Sequence, residues 1–351
     1  MSRRLIFAVG GTGGHLFPAQ ALARELKENH HDILFAGGGL GSNQYFHKLT
    51  FPFREITSAS PFRSSPFRAA LKLLSGVRES FRLFNEFSPD CIIGFGSFYS
   101  FPILAAAKLR KIPYILVESN AHPGKVNRLF SRGAKVSAVQ FEEAKSMLKG
   151  EVAPARVPFW SIENPSAHLD SQSAKKYFHL DPMRFTLLIF GGSQGAAVLN
   201  EAGLLLGKDL QVLHLCGKDH DQEELFEMYK KRGIIACVKQ FEQKMHIALR
   251  AADLALCRSG ASTLNELIQF NVPSILVPWP GATENHQYKN AKVFESKGGA
   301  LLLEQSKIDK LPHVLEDARE KLSSMRACLN QEAKRNIHSL SKLVTEQLEG
   351  L

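Results

Sequence analysis

Leu5-Ile6-Phe7-Ala8-Val9-Gly10-Gly11-Thr12-Gly13-Gly14-His15 is the stretch that decides the fold. Five apolar residues without alternation predict a strand buried on both faces. The glycines after it permit positive φ and let the backbone come close to a ligand. Leu16–Glu28 then carries a helical pattern, with Pro18 near its first turn, where proline is tolerated. The start of such a helix offers free N–H groups and the positive end of its dipole, a natural anion site. Two common alternatives fail here. A dinucleotide fingerprint needs a third glycine where Leu16 stands and an acid near the end of the second strand, and Ile33–Gly39 has none. A P-loop needs Gly-Lys-Ser/Thr, which is absent. Arg3 and Arg4 before a short apolar run resemble a signal peptide, but the run is too short and leads straight into the turn. It reads as the first strand of a cytoplasmic chain.

The pattern repeats outward from this point. Short apolar runs at Ile33–Ala36, Cys91–Gly94, Tyr114–Val117 and Val136–Val139 alternate with helical stretches. A second series follows at Thr186–Phe190, Gln211–Leu215, Ile235–Val238, Leu254–Cys257 and Ser274–Val277. Two successive β-α-β series predict an α/β protein of two doubly wound, Rossmann-like domains with mainly parallel sheets. Pro154, Pro158 and Pro165 place the join near 153–165, giving domains 1–157 and 158–330. Gln331–Leu348 reads as an amphipathic helix with Ile337, Leu340, Leu343 and Val344 on one face. The segment 331–351 is expected to pack back on the first domain.

A chain of 351 residues, 44% hydrophobic, affords a core in each half. No run of eighteen apolar residues exists to span a membrane as a helix. Five dispersed cysteines without CxxC spacing argue for reduced thiols and against a disulfide frame or zinc site. The net charge of +10 is one-sided: residues 1–156 hold 21 Lys/Arg against 11 Asp/Glu, and residues 157–351 hold 23 of each. A basic first half suggests an anionic partner there, such as a membrane surface, a pyrophosphate or nucleic acid.

Several segments carry chemistry. His15 ends the first turn at the strand edge where open α/β sheets bind ligands, and its near-neutral pKa suits proton transfer from a hydroxyl. Gly191-Gly192-Ser193-Gln194-Gly195-Ala196 is a second strand-to-helix glycine turn, with the Ser193 hydroxyl as a phosphate donor. Two such turns, one per domain, predict a cleft with an anionic group on each side. In Cys257-Arg258-Ser259-Gly260-Ala261-Ser262-Thr263-Leu264-Asn265-Glu266, Ser262 and Thr263 read either as a capping box or as part of a diphosphate-binding helix start. On the second reading Glu266 accepts from ribose hydroxyls. Gln287, in the loop and helix after Pro278, can read sugar hydroxyls. Glu118 and Asn120 follow another strand of the first domain, where a hydroxyl acceptor can be oriented; helix capping by Asn120 is the plainer alternative. Across 62–84, Arg63, Arg68, Lys72, Arg78 and Arg82 face a single acid, Glu79, with Leu71, Leu74, Val77, Phe81 and Phe84 at helical spacing. A basic amphipathic helix of this kind lies on an anionic bilayer or is an ordinary surface helix.

Together these motifs resemble the MurG family of peptidoglycan glycosyltransferases. The resemblance runs from Gly10 to about Ala300 and is carried by GGTGGH at 10–15, GGSQGA at 191–196, CRSGASTLNE at 257–266, and His286-Gln287 with Asn290-Ala291. It implies a GT-B fold and an inverting transfer of N-acetylglucosamine from UDP-GlcNAc to the muramyl C4 hydroxyl of lipid I, making lipid II. No cofactor or metal is implied, and no nucleic-acid partner. It places the donor in the second domain, with Ser193 at the diphosphate, Ala261, Ser262, Thr263, Leu264, Asn265 and Glu266 along phosphate and ribose, and Gln287 at the sugar. Thr12, Gly13, Gly14 and Asn120 then lie near the transferred sugar and acceptor. His15 is the first candidate base and Glu118 the second. The basic stretch is similar to the family's membrane-association patch, which implies a peripheral enzyme at the cytoplasmic face of the bacterial membrane, serving cell-wall synthesis and with it cell shape and division.

The chain departs from the family in places. Val117 stands where the family usually shows His, Phe159-Trp160 where it shows Val-Arg, and Ser97 and Phe101 replace glycines. These changes suggest a divergent member and leave the donor segments untouched. The alternatives are a same-fold UDP-sugar 2-epimerase and a non-catalytic scaffold of cell-wall assembly.

Overall fold

The computed structural model describes residues 2–11, 13–59, 66–158, 169–192, 195–335 and 337–350. Thr12, Arg63, Trp160 and Ser193 lie outside the described residues. The chain divides into two compact units, 1–160 with 336–351, and 161–335.

The first unit begins with β1 (Arg4–Ala8), α1 (Gly13–Glu28), β2 (Asp32–Gly37), β3 (Phe53–Glu55) and α2 (Pro66–Phe87). It continues through β4 (Cys91–Gly94), α3 (Phe101–Arg110), β5 (Tyr114–Glu118), α4 (Lys125–Phe130), β6 (Ser137–Val139) and β7 (Val152–Arg156). The second unit holds α5 (Ser171–Tyr177), β8 (Thr186–Phe190), α6 (Ala197–Ala202), β9 (Gln211–Leu215), α7 (Gln222–Lys231) and β10 (Ile235–Lys239). Then come α8 (Met245–Ala251), β11 (Leu254–Cys257), α9 (Ala261–Phe270), β12 (Ser274–Leu276), α10 (His286–Ser296) and β13 (Ala300–Leu302). It closes with α11 (Leu311–Glu320) and α12 (Leu322–Ala333). The chain returns to the first unit as β14 (His338–Ser339) and α13 (Leu340–Glu349).

Among the described residues every strand pairing is parallel. The first sheet runs β14-β7-β6-β5-β4-β1-β2-β3 and the second β10-β9-β8-β11-β12-β13. Alternation along β1 sends Leu5 and Phe7 to one face, against Leu16, Leu22 and Leu26 of α1 and Leu340 and Val344 of α13. Ile6 and Ala8 face the other side, against Leu83 and Phe84 of α2 and Ile103 and Leu104 of α3. Full burial on both faces is what the unalternating apolar run required, and each buried Leu or Ile contributes about 1.5–3 kcal/mol. In the second unit Leu187 and Ile189 pack against α6, α7 and α11.

Two sequence readings need correction. Residues 152–156 form a strand and not a linker: β7 pairs with β6 through Val139 and Pro154, and with β14 through Ala155. Proline hid it, because Pro argues against a ladder position by lacking an N–H. Gln331–Leu348 is not one helix. It is divided by the short strand His338–Ser339, with its first residues ending α12 and its last forming α13. Ser339 caps α13 by accepting from the Lys342 N–H.

Each sheet has one point where the strand order reverses direction. In the first unit it lies between β1 and β4, and in the second between β8 and β11. At such a point the two flanking crossovers leave on opposite faces, and the carboxyl ends of the strands open a site for a ligand. The described loop residues leaving those ends are 9–11 and 95–100 in one unit, and 191–192, 195–196 and 258–260 in the other.

Candidate functional site

In the first unit the glycine turn is clamped from outside itself. Tyr99, from the loop after β4, packs against it and against the loop after β2: a Cβ at Gly10 would stand 2.6 Å from the Tyr99 Cβ, and one at Gly38 2.6 Å from Tyr99 Cδ1. Gly11, at φ +92°, sits under the same ring, and Asn43 Nδ2 donates to its carbonyl at 2.6 Å. Only glycine leaves room for this seat. Glu55 secures the loop after β2, accepting from the Gly39 N–H at 2.7 Å and from the Gly41 N–H. Gly13, Gly14 and His15 form the first turn of α1; Gly14 is exposed and His15 half-buried.

Glu118 ends β5 and is buried. Its Oε1 accepts from Asn120 N at 2.9 Å and from Asn120 Nδ2 at 3.1 Å. Its Oε2 accepts from Gly124 N and from Asn127 Nδ2, both at 2.9 Å. Asn120 therefore caps no helix; the N-cap of α4 is Gly124. His15, Glu118 and Asn120 stand at the same edge of the sheet, with β4 between the strands that carry them.

In the second unit the 191–196 turn precedes a helix of only six residues. Gly192 and Gly195 have φ +88° and +77°, and a Cβ at Gly195 would meet the Cys216 carbonyl at 2.3 Å. Behind the turn lies a buried polar chain. Asn200 Nδ2 donates to Cys216 O at 3.1 Å, and Asn200 Oδ1 lies 2.9 Å from His214 Nε2. His214 Nδ1 lies 2.8 Å from the Tyr229 hydroxyl. Since Asn200 Oδ1 only accepts, His214 carries its proton on Nε2 and accepts from Tyr229 on Nδ1. Burial drives the His214 pKa down to about 3, so the ring is neutral.

The helix start at 261 decides between the two sequence readings of Ser262 and Thr263. The N-cap of α9 is Gly260, with no side-chain cap, so there is no capping box. Ala261, Ser262 and Thr263 are the first three helical residues, at the positive end of the helix dipole. Leu264 differs: it is fully buried and its N–H donates to Gly260 O at 3.0 Å, so its contribution is to the core. Asn265 and Glu266 are half-buried. Enclosure of the Glu266 carboxyl pushes its pKa up to about 8.

Residues without an assigned role in the sequence reading hold these segments together. Arg258 Nη1 donates to Val277 O at 3.0 Å and to Pro278 O at 3.3 Å. Asn290, fully buried, donates to Ser259 O at 3.1 Å. Gln287 Oε1 accepts from Trp279 N at 2.9 Å, which leaves its amide N–H groups as the part able to meet a sugar hydroxyl. Sequence spacing carried no signal for Tyr99, Asn43 or Arg258, because their partners are distant in the chain.

The sequence matches the glycosyltransferase family 28 N-terminal domain over residues 5–139 and the C-terminal domain of the same family over 186–348. A Protochlamydia amoebophila protein is 40% identical over 320 residues, 87% of this chain and 84% of that protein. A Desulforamulus reducens protein is 35% identical over 347 residues, 92% of each. Both are named UDP-N-acetylglucosamine–N-acetylmuramyl-(pentapeptide) pyrophosphoryl-undecaprenol N-acetylglucosamine transferase. Among solved structures, Acinetobacter baumannii MurG is similar with a TM-score of 0.78 at 26% identity, covering 99% of this chain and all of that one.

Proposed function

This chain belongs to the MurG group of glycosyltransferase family 28, with its GT-B type fold, and we propose that it moves N-acetylglucosamine from UDP-GlcNAc to the C4 hydroxyl of the lipid-linked muramyl sugar, converting lipid I to lipid II with inversion. The observation that carries this reading is the glycine turn at the switch point of each sheet, in a chain related to named transferases over most of its length.

The donor belongs with the second unit. The start of α9, whose N-cap is Gly260, meets the diphosphate with backbone N–H groups, aided by the helix dipole, and stabilises the charge that builds on departing UDP. Ser193 lies at the same diphosphate, Glu266 at the ribose and Gln287 at the transferred sugar. Thr12, Gly13, Gly14 and Asn120 of the first unit lie near the transferred sugar of UDP-GlcNAc and the acceptor. His15 takes the proton from the C4 hydroxyl as that oxygen attacks the anomeric carbon. General base catalysis of this kind contributes about 10²–10⁴-fold.

The first unit also meets the membrane. Phe67, Leu71 and Leu74 of α2 are 73%, 52% and 62% exposed, beside exposed Arg68, Lys72, Arg78 and Arg82. Val77, Phe81 and Phe84 turn inward instead and hold the helix to α3, with Arg110 stacked 5.0 Å from the Phe81 ring centroid. Apolar side chains ringed by cations suit an anionic bilayer, and a lipid-linked acceptor gives the enzyme reason to sit there, at the cytoplasmic face, where it serves cell-wall growth and division.

The test is transfer of labelled GlcNAc from UDP-GlcNAc to a lipid I analogue, with the anomeric configuration of the product determined. Inverted disaccharide product is expected. Release of free epimerised UDP-sugar, or no product from folded protein, would overturn the proposal.

A further inference from the structure

One buried carboxylate in the first unit is saturated with donors. Glu118 is 4% exposed. Its two oxygens together offer about four lone-pair positions. Four donors fill them: Asn120 N, Asn120 Nδ2, Gly124 N and Asn127 Nδ2, at 2.9–3.1 Å. A general base must aim a lone pair at the proton it takes. Glu118 has its lone pairs aimed at its own loop.

The four bonds gather three points of one segment. Asn120 is two residues along, Gly124 opens α4, and Asn127 lies within α4. Asn127 is 1% exposed, and its Nδ2 also donates to the Val117 carbonyl at 3.0 Å, tying helix to strand. The loop after β4 rests on the same side chain: Gly96, at φ +73°, would put a Cβ 3.1 Å from Asn127 Nδ2. One carboxylate thus fixes the path of 118–127 and sets the level at which the neighbouring loop lies.

Asn120 is held twice, by its main-chain N–H and by its side-chain amide. This settles the amide's orientation, since the flipped group would face Oδ1 toward a carboxylate oxygen. Asn120 Oδ1 is then turned away from Glu118 in one fixed direction.

We infer that Glu118 is a positioning residue that locks Asn120 and the 118–127 loop in the geometry required at the transferred sugar, and that it takes no proton in the reaction. The inference rests on the transferase reading above and deepens it.

The substitution Glu118→Gln tests it. Glutamine supplies one oxygen and one NH₂, so one pair of donors is left facing another donor. We expect the KM for UDP-GlcNAc to rise about tenfold or more, the loss of one or two charge-assisted hydrogen bonds. The acid limb of the kcat–pH profile should persist, because the base is still present. A fall in kcat of about 10²-fold or more with the acid limb abolished and the KM for UDP-GlcNAc unchanged would make Glu118 the base and overturn the inference. Wild-type values throughout would overturn it as well. Should Glu118→Gln fail to fold, Asn120→Ala is the second probe, and an unaltered KM for UDP-GlcNAc in that variant refutes the positioning role. The combined variant should show strongly non-additive effects, since both act through one contact. The transferase reading fails separately, through absence of product from the wild-type enzyme.

Discussion

The Ser259 hydroxyl donates to the main-chain carbonyl of Gln287, 28 residues away, at 2.8 Å. With the Arg258 and Asn290 bonds, it hangs the 277–290 segment on the end of β11, so the α9 helix start and Gln287 keep one geometry. Ser259 is fully buried. Ser259→Ala should cost about 1–3 kcal/mol in denaturant unfolding, because the Gln287 carbonyl loses its donor, and should raise the KM for UDP-GlcNAc while leaving the acceptor KM alone.

Glu266 is expected to carry donor recognition. Glu266→Ala should weaken UDP binding by about tenfold or more in calorimetric titration. Its protonation gives a second readout. The carboxyl titrates near its ordinary 4.5 when unfolded and near 8 when folded. Between those values the folded state holds the extra proton, so this stabilising contribution is lost as pH rises through the window. Glu266→Gln should remove that slope.

His214 gives the opposite sign. Its ring titrates near 6.5 when unfolded and near 3 when folded. Between these values the unfolded state binds the extra proton, so stability falls as pH falls. At pH 5 the loss from this one group should be about 2 kcal/mol relative to pH 7 or above. Chemical denaturation at several pH values, compared with His214→Gln, measures it; equal slopes in the two proteins would refute the assignment.

Ser97 occupies a glycine's conformation. Its φ is +78°, and its buried Oγ has no hydrogen-bond partner among the described residues. Ser97→Gly relieves the left-handed strain, offset in part by greater freedom of the unfolded chain. A net gain of about 1 kcal/mol is expected, read as a raised Tm.

The α2 face should bind vesicles containing anionic lipid and bind neutral vesicles weakly. Replacing Arg68 and Lys72 by Ala should reduce binding by about 2 kcal/mol, roughly 30-fold, at about 1 kcal/mol per cation. Leu71→Ser with Leu74→Ser should reduce it at all salt concentrations, whereas the charge effect should fade as salt rises. Sedimentation with vesicles distinguishes the two.

The sequence by itself determined the architecture. Ten of the fourteen strands among the described residues are legible as short apolar runs, because a strand buried on both faces must be apolar throughout. The glycine turns at 10–14 and 191–196 are legible for a related reason: only glycine tolerates a φ such as +92° at Gly11 or the approach of Cys216 O to Gly195. The strands it hid, β3, β7, β13 and β14, are short, exposed at their faces, or contain proline. Their existence depends on a neighbour and not on their own pattern. The same holds at the site. A row of letters shows a carboxylate at 118 but not that four donors surround it, and a Ser-Thr pair at 262–263 but not that the helix begins one residue earlier. Tyr99 on its three glycines, Arg258 on two carbonyls and the His214 chain were decided by the tertiary structure alone. Hydrogen bonds and close packing join residues that the chain keeps far apart, and their directions exist only once the backbone has folded.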